Sequence, residues 1–142
     1  MTPAEETLAD VWATGTYSTH PVAHIRAELT ARQVLTVSSA RSAEMDTAGD
    51  SVVAVAGLVT HRQQPPTARG VVFLSLEDET GMLNVICPPH VWARYRRPAA
   101  TAPALLIYGR IERTGGAVNL VATALRPLRV AVAAGFASRD FR

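Results

Sequence analysis

The chain has 142 residues, 48% of them hydrophobic, enough apolar material for a packed core, which excludes a disordered chain. Its longest apolar run, residues 52–59, is too short to cross a bilayer, no secretory signal pattern opens it, and its single cysteine, Cys87, excludes an internal disulfide and a cysteine-rich zinc site. Every one of the 14 basic residues is arginine, and their placement is uneven: residues 1–50 hold three against seven acids (−4), residues 51–142 eleven against five (+6), so a basic unit suited to a polyanion follows an acidic leader. A cytoplasmic protein with no membrane contact is expected.

In chain order, residues 3–14 predict a short helix, with Leu8, Val11 and Trp12 on one face and Gly15 as its stop. Residues 22–32 predict a second helix, with Val22, Ile25, Ala27 and Leu29 partly on one side. Residues 38–50 are small, polar and aperiodic, and are expected to form a linker or long loop. From residue 52 the pattern becomes β-branched: strands are predicted over 52–61, 71–78, 82–87, 104–113 and 117–125. Pro65-Pro66 marks the first loop, Thr80-Gly81 and Gly115-Gly116 mark turns, and Gly57 and Gly109 inside strands mark bulges or barrel corners. A helix is predicted from Pro89, with Val91, Trp92 and Tyr95 on its apolar side and Pro98 as its end. Cys87 falls in a strand as a small buried hydrophobe. The class is mainly β: a five-stranded, Greek-key OB-fold barrel with a helix between strands 3 and 4, preceded by a short helical leader. The expected division is a leader and linker over 1–50, an OB domain over 51–128 and a tail over 129–142.

The stretch Val55-Ala56-Gly57-Leu58-Val59-Thr60-His61-Arg62, followed by residues 73–85 from Phe73-Leu74-Ser75-Leu76 to Asn84-Val85, resembles the nucleic-acid-binding OB family. That family includes the anticodon-binding domains of aspartyl-type tRNA synthetases and the C-terminal OB domain of bacterial replicative polymerase alpha subunits. The leader Asp10-Val11-Trp12-Ala13-Thr14-Gly15 with His20-Pro21, the helix Val91-Trp92-Ala93-Arg94-Tyr95-Arg96-Arg97 and the terminus Ser138-Arg139-Asp140-Phe141-Arg142 are similar to the error-prone C-family branch. The resemblance covers nearly the whole chain. It implies the last part of a much longer DNA polymerase used in translesion synthesis and DNA repair, whose catalytic palm and metal-binding aspartates lie elsewhere. Residues 121–128 depart from the more acidic pattern of that family.

Period-two alternation sets Phe73 opposite the apolar pair Leu74 and Leu76, so an outward aromatic is expected, able to stack on a base; the matching phenylalanine of the synthetase relatives is implied to do so. Asn84, between Leu83 and Val85, is expected beside it, its amide offering both donor and acceptor to a base edge. Arg62 and Arg69 bracket the first long loop, Arg110 and Arg113 approach the last hairpin, and Tyr108 alternates with Arg110. These loops flank the ligand groove of OB domains, where guanidinium groups pair with phosphates. Arg94, Arg96 and Arg97 read first as cations complementing a helix C-terminus. Glu77-Asp78-Glu79 reads as part of a turn rather than a metal site. No histidine spacing, GxSxG serine or phosphate loop supports catalysis, a metal or a cofactor. A single-stranded DNA-binding module with accessory protein partners is expected; a protein-interaction OB domain and an RNA- or tRNA-binding module are the alternatives.

Overall fold

In the computed structural model, which describes residues 20–42 and 51–129, five strands follow one another: β1 (Val53–Gln63), β2 (Val72–Asp78), β3 (Gly81–Cys87), β4 (Ala104–Thr114) and β5 (Ala117–Pro127). They close a barrel in the order β1-β2-β3-β5-β4. Helix α3 (Pro89–Ala99) separates β3 from β4, so β3 pairs instead with β5, in parallel, while every other pair is antiparallel. This is the predicted OB barrel with its helix between strands 3 and 4. Helix α3 seats Val91 and Ala99 against one end of the barrel, with Trp92 and Tyr95 packed beside them. It runs past Pro98, where the sequence suggested an end. A proline in the last turn loses one donor only, and Ala100 N–H still closes on the Arg96 carbonyl at 2.7 Å.

The alternation seen in the sequence decides the core. Leu74, Leu76, Leu83, Val85, Leu105, Ile107, Leu120 and Leu125 are all buried. Cys87 is buried with them, and desolvation pushes its thiol up to about 12. Two glycines let strands pass closely. A Cβ on Gly57 would lie 2.6 Å from the Glu77 carbonyl oxygen, and one on Gly109 would overlap the Val121 carbonyl. Register shifts at Val59/His61 and Tyr108/Gly109 sit beside them.

Residues 20–42 pack on the barrel. The single helix expected over 22–32 is instead a 3₁₀ turn (Pro21–Ile25) followed by α1 (Arg26–Ala31). His20 caps the turn, its Nδ1 accepting from Val22 N–H at 3.1 Å. The linker expected from residue 38 begins as helix α2 (Val37–Arg41), capped by Thr36, whose Oγ1 accepts from Ser39 N–H at 3.0 Å. So short a helix shows no period in sequence; it is held because Val37 and Ala40 join the barrel core. Val22, Leu29 and Val34 form a second apolar cluster with Ala56, flanked by Ala54, Leu58 and Leu106, on the outside of β1 and β4. Leu35 N–H donates to the Ala54 carbonyl at 2.8 Å.

The Glu77-Asp78-Glu79 turn anchors this leader. The Asp78 side chain is fully buried. Its Oδ2 accepts from Val37 N–H at 2.8 Å and Arg26 Nη2 at 3.1 Å, its Oδ1 from Thr80 N–H and the Thr80 hydroxyl, both at 2.7 Å. Arg26 also grips Glu79 with two hydrogen bonds, 2.7 and 2.9 Å, which hold that carboxyl below its ordinary range. The helix expected over residues 3–14 and nearly all of the tail lie outside the described residues.

Candidate nucleic-acid interface

Because Leu74 and Leu76 face inward, Phe73, Ser75 and Glu77 face out. Strand register then lines up side chains from neighbouring strands in rows across the outer surface. One row runs Gln63, Phe73, Ile86, Val121 and Arg110; the next runs His61, Ser75, Asn84, Asn119 and Glu112. The two rows border a groove of about 330 Å³ lined by His61, Gln63, Phe73, Ser75, Asn84 and Asn119 among others. Phe73 is 38% exposed within it. The first row thus offers an apolar, aromatic middle between Gln63 and Arg110, and the second an array of imidazole, hydroxyl and amide groups able to meet base edges, ending in the Glu112 carboxylate on β4. Further along β3, Ser38, Arg41, Thr80 and Met82 line a second, more open hollow of about 590 Å³.

Phe73 and Asn84 sit where the sequence placed them, in adjacent rows of one groove. Arg110 is exposed at the β4 end of the Phe73 row. Arg69 is exposed in the loop between β1 and β2, at φ 55° beside Gly70 at 88°. The other three are elsewhere. The bulge after Val59 shifts the phase of β1, so Arg62 lies opposite the inward Leu74 while His61 and Gln63 turn outward. Its half-buried guanidinium donates to the carbonyls of Ala99, at 2.8 Å, and Ala102 beyond the end of α3, and desolvation lowers its pKa. Arg113 continues the inward series Leu105, Ile107, Gly109, Ile111; it donates to the Arg41 carbonyl at 3.2 Å and to the Ser42 carbonyl, fastening the leader. Tyr108 is half-buried between Ala54 and Ala124, next to the leader cluster and away from Phe73. His61, Gln63, Ser75 and Asn119 were not singled out. The signal for Asn119 was present: a polar residue in the otherwise apolar run 117–122.

Among the described residues, Arg41, Arg69, Arg94, Arg96, Arg97, Arg110, Arg126 and Arg129 are exposed and take part in no ion pair, whereas Asp78 and Glu79 are occupied by Arg26. No group of three His, Cys, Asp or Glu side chains among the described residues can hold a metal ion, and no described helix is long and apolar enough to cross a membrane.

The chain is similar to the error-prone DNA polymerase of Mycobacterium bovis, 50% identical over all of this chain and 13% of that protein. It is similar also to that of Nocardia farcinica, 44% identical over all of this chain and 12% of that protein. It therefore spans about an eighth of the length of these relatives. Asparaginyl-tRNA synthetase from Pyrococcus horikoshii shares the fold at a TM-score of 0.53 and 14% identity, over 70% of this chain and 24% of that one. The description "OB-fold nucleic acid binding domain" matches residues 53–128, the five strands and the groove they carry, and the chain belongs to that family.

Proposed function

We propose that the groove binds single-stranded DNA, as the strand-holding module of an error-prone polymerase acting in translesion synthesis and repair. The observation that carries this reading is Phe73, an aromatic ring left exposed in the middle of a groove whose other side is a row of hydrogen-bonding side chains. An exposed ring on a sheet stacks on any base, and the polar row accommodates different base edges, so the expected binding is strong in backbone and stacking terms and weak in sequence preference. Arg69 and Arg110, exposed on the flanking loop and strand, supply phosphate contacts. DNA rather than RNA is favoured by the polymerase relatives.

Fluorescence anisotropy with a labelled oligothymidylate over a salt series tests this. Phe73→Ala should weaken binding by about 1–3 kcal/mol, roughly 5- to 150-fold, at every salt concentration and leave the salt slope unchanged. Arg69→Gln and Arg110→Gln should each flatten the slope by about 0.7. A folded Phe73→Ala protein that binds like the wild type overturns the reading.

A further inference from the structure

Helix α3 carries a feature that the groove does not use. His90, Ala93, Arg94, Arg96 and Arg97 are all exposed on it, while Val91 and Ala99 face the barrel. Residues 80–111 contain Arg94, Arg96, Arg97 and Arg110 and no acidic residue, and no described carboxylate pairs with the three helical arginines. His90, Arg94 and Arg97 are spaced i, i+4, i+7 and so form one stripe along a helix roughly 16 Å long. A helix dipole attracts cations to its last turn only, and Arg94 lies before that turn, so the dipole does not account for the stripe.

The chemistry of this face narrows its partner. The exposed large hydrophobic residues of the described chain are Val52, Phe73 and Met82, none of them on α3; Trp92 and Tyr95 are packed against the core. A protein partner needs an aromatic or aliphatic anchor at the centre of its interface, and this face has none. A base needs a ring to stack on; here Trp92 and Tyr95 are half-buried, Tyr95 with the Arg94 guanidinium 5.6 Å above its ring, and His90 at the helix start is the one exposed ring of α3. What remains is guanidinium groups, Arg94 and Arg97 on the stripe and Arg96 about 100° round the helix from Arg97, which suit a backbone of closely spaced phosphates. Duplex DNA presents one charge per about 1.7 Å of its axis, the denser target.

The position fits as well. Ile86, the neighbour of Phe73 in the groove, stands just before Pro88 and the start of α3. The β1–β2 loop reaches the same place, where a Cβ on Gly70 would lie 3.3 Å from Cβ of Pro89. The groove therefore adjoins the start of α3 at the Phe73 end, and Arg94 to Arg97 follow about 8–12 Å further along the helix. We propose that the Arg94–Arg96–Arg97 face of α3 is a second docking surface, for the phosphate backbone of the duplex that adjoins the single strand held in the groove. This rests on the groove reading, and deepens it from a strand binder to a reader of single-strand/duplex junctions.

The test uses the full chain, the triple variant Arg94→Gln/Arg96→Gln/Arg97→Gln and Phe73→Ala. Three probes are needed: a single strand of about six nucleotides, within the roughly 4–16 that one OB domain covers; the same strand joined to a duplex of about ten base pairs; and a single strand as long as that whole junction. The triple variant should bind the short strand like the wild type, which also shows that it is folded. On the junction its salt slope should be flatter by roughly 2.7, so the wild type should lose roughly 40-fold more affinity than the variant between about 50 and 200 mM salt. Junction binding unchanged in the triple variant overturns the proposal and leaves the face to an acidic protein. An equal loss on the long single strand and the junction also overturns it, since the phosphates would then be those of the single strand. Phe73→Ala on the short strand reports on the groove separately: no effect there, with the junction loss intact in the triple variant, refutes the groove and leaves the helix face standing.

Discussion

Replacing Asp78 by alanine removes an acceptor from four donors at once, in a side chain with no solvent exposure. Val37 N–H is buried and finds no substitute for its 2.8 Å bond; an orphaned buried donor costs about 1–3 kcal/mol. Arg26 keeps Glu79, and Thr80 reaches water, so these donors lose less. The sum is about 3–5 kcal/mol, the range for breaking a buried ionic contact on one side and a large share of the roughly 5–15 kcal/mol that holds a domain folded. Asp78→Asn sharpens the test. Its amide oxygen can still accept from Thr80, but its NH2 then faces Val37 N–H and Arg26 Nη2, donor against donor. The asparagine variant should therefore fall close to the alanine one. Urea unfolding followed by circular dichroism gives both values. A loss below about 1 kcal/mol for alanine, or wild-type stability for asparagine, refutes the hub assigned to this carboxylate.

The Glu79–Arg26 pair gives stability a pH dependence of defined sign. The folded carboxyl is held below its ordinary 4.5, so its contribution is complete above that value and lost as pH falls through the lower folded pKa; the stability gap between wild type and Glu79→Gln should close over that range in an acid titration of unfolding. Gly109→Ala should destabilise by at least the upper end of the about 1–3 kcal/mol typical of overpacking, because the added methyl meets the Val121 backbone rather than a movable side chain; thermal melting above or near the wild-type midpoint contradicts this. Arg62→Ala should lower stability by about 1–3 kcal/mol through the freed carbonyls of Ala99 and Ala102, while leaving the salt slope of DNA binding untouched; a flattened slope at unchanged stability returns Arg62 to the phosphate track.

The barrel was legible because strands obey a period of two and because its turns are punctuated by glycine and proline. The same parity set Phe73 and Asn84 outward against Leu74, Leu76, Leu83 and Val85. Parity failed where a bulge intervened: the shift after Val59 turned Arg62 inward and His61 and Gln63 outward, and nothing in the residue types announces it. Arg113 was misplaced for a simpler reason. It shares the inward phase of Ile107 and Ile111, and Arg110 does not, so grouping them by nearness to the hairpin ignored the alternation. Helix α2 and the role of Asp78 were illegible because both depend on a contact between Val37 and Asp78, forty-one positions apart. Such pairings are set by tertiary packing, not local pattern.

The sequence changes sign of charge near residue 50, from a net of −4 before it to +6 after it, and it is natural to cut there. The apolar cluster on the outside of β1 and β4 argues against treating that point as a seam. With residues 20–42 removed, Ala54, Ala56, Leu58 and Leu106 would face water, and Asp78 would be left with a charge but without the Val37 and Arg26 donors. Residues on both sides of the charge boundary therefore share buried contacts, and a single unfolding midpoint is the expected outcome of thermal melting followed by circular dichroism. The point where the charge changes sign is thus not where the packing contacts stop.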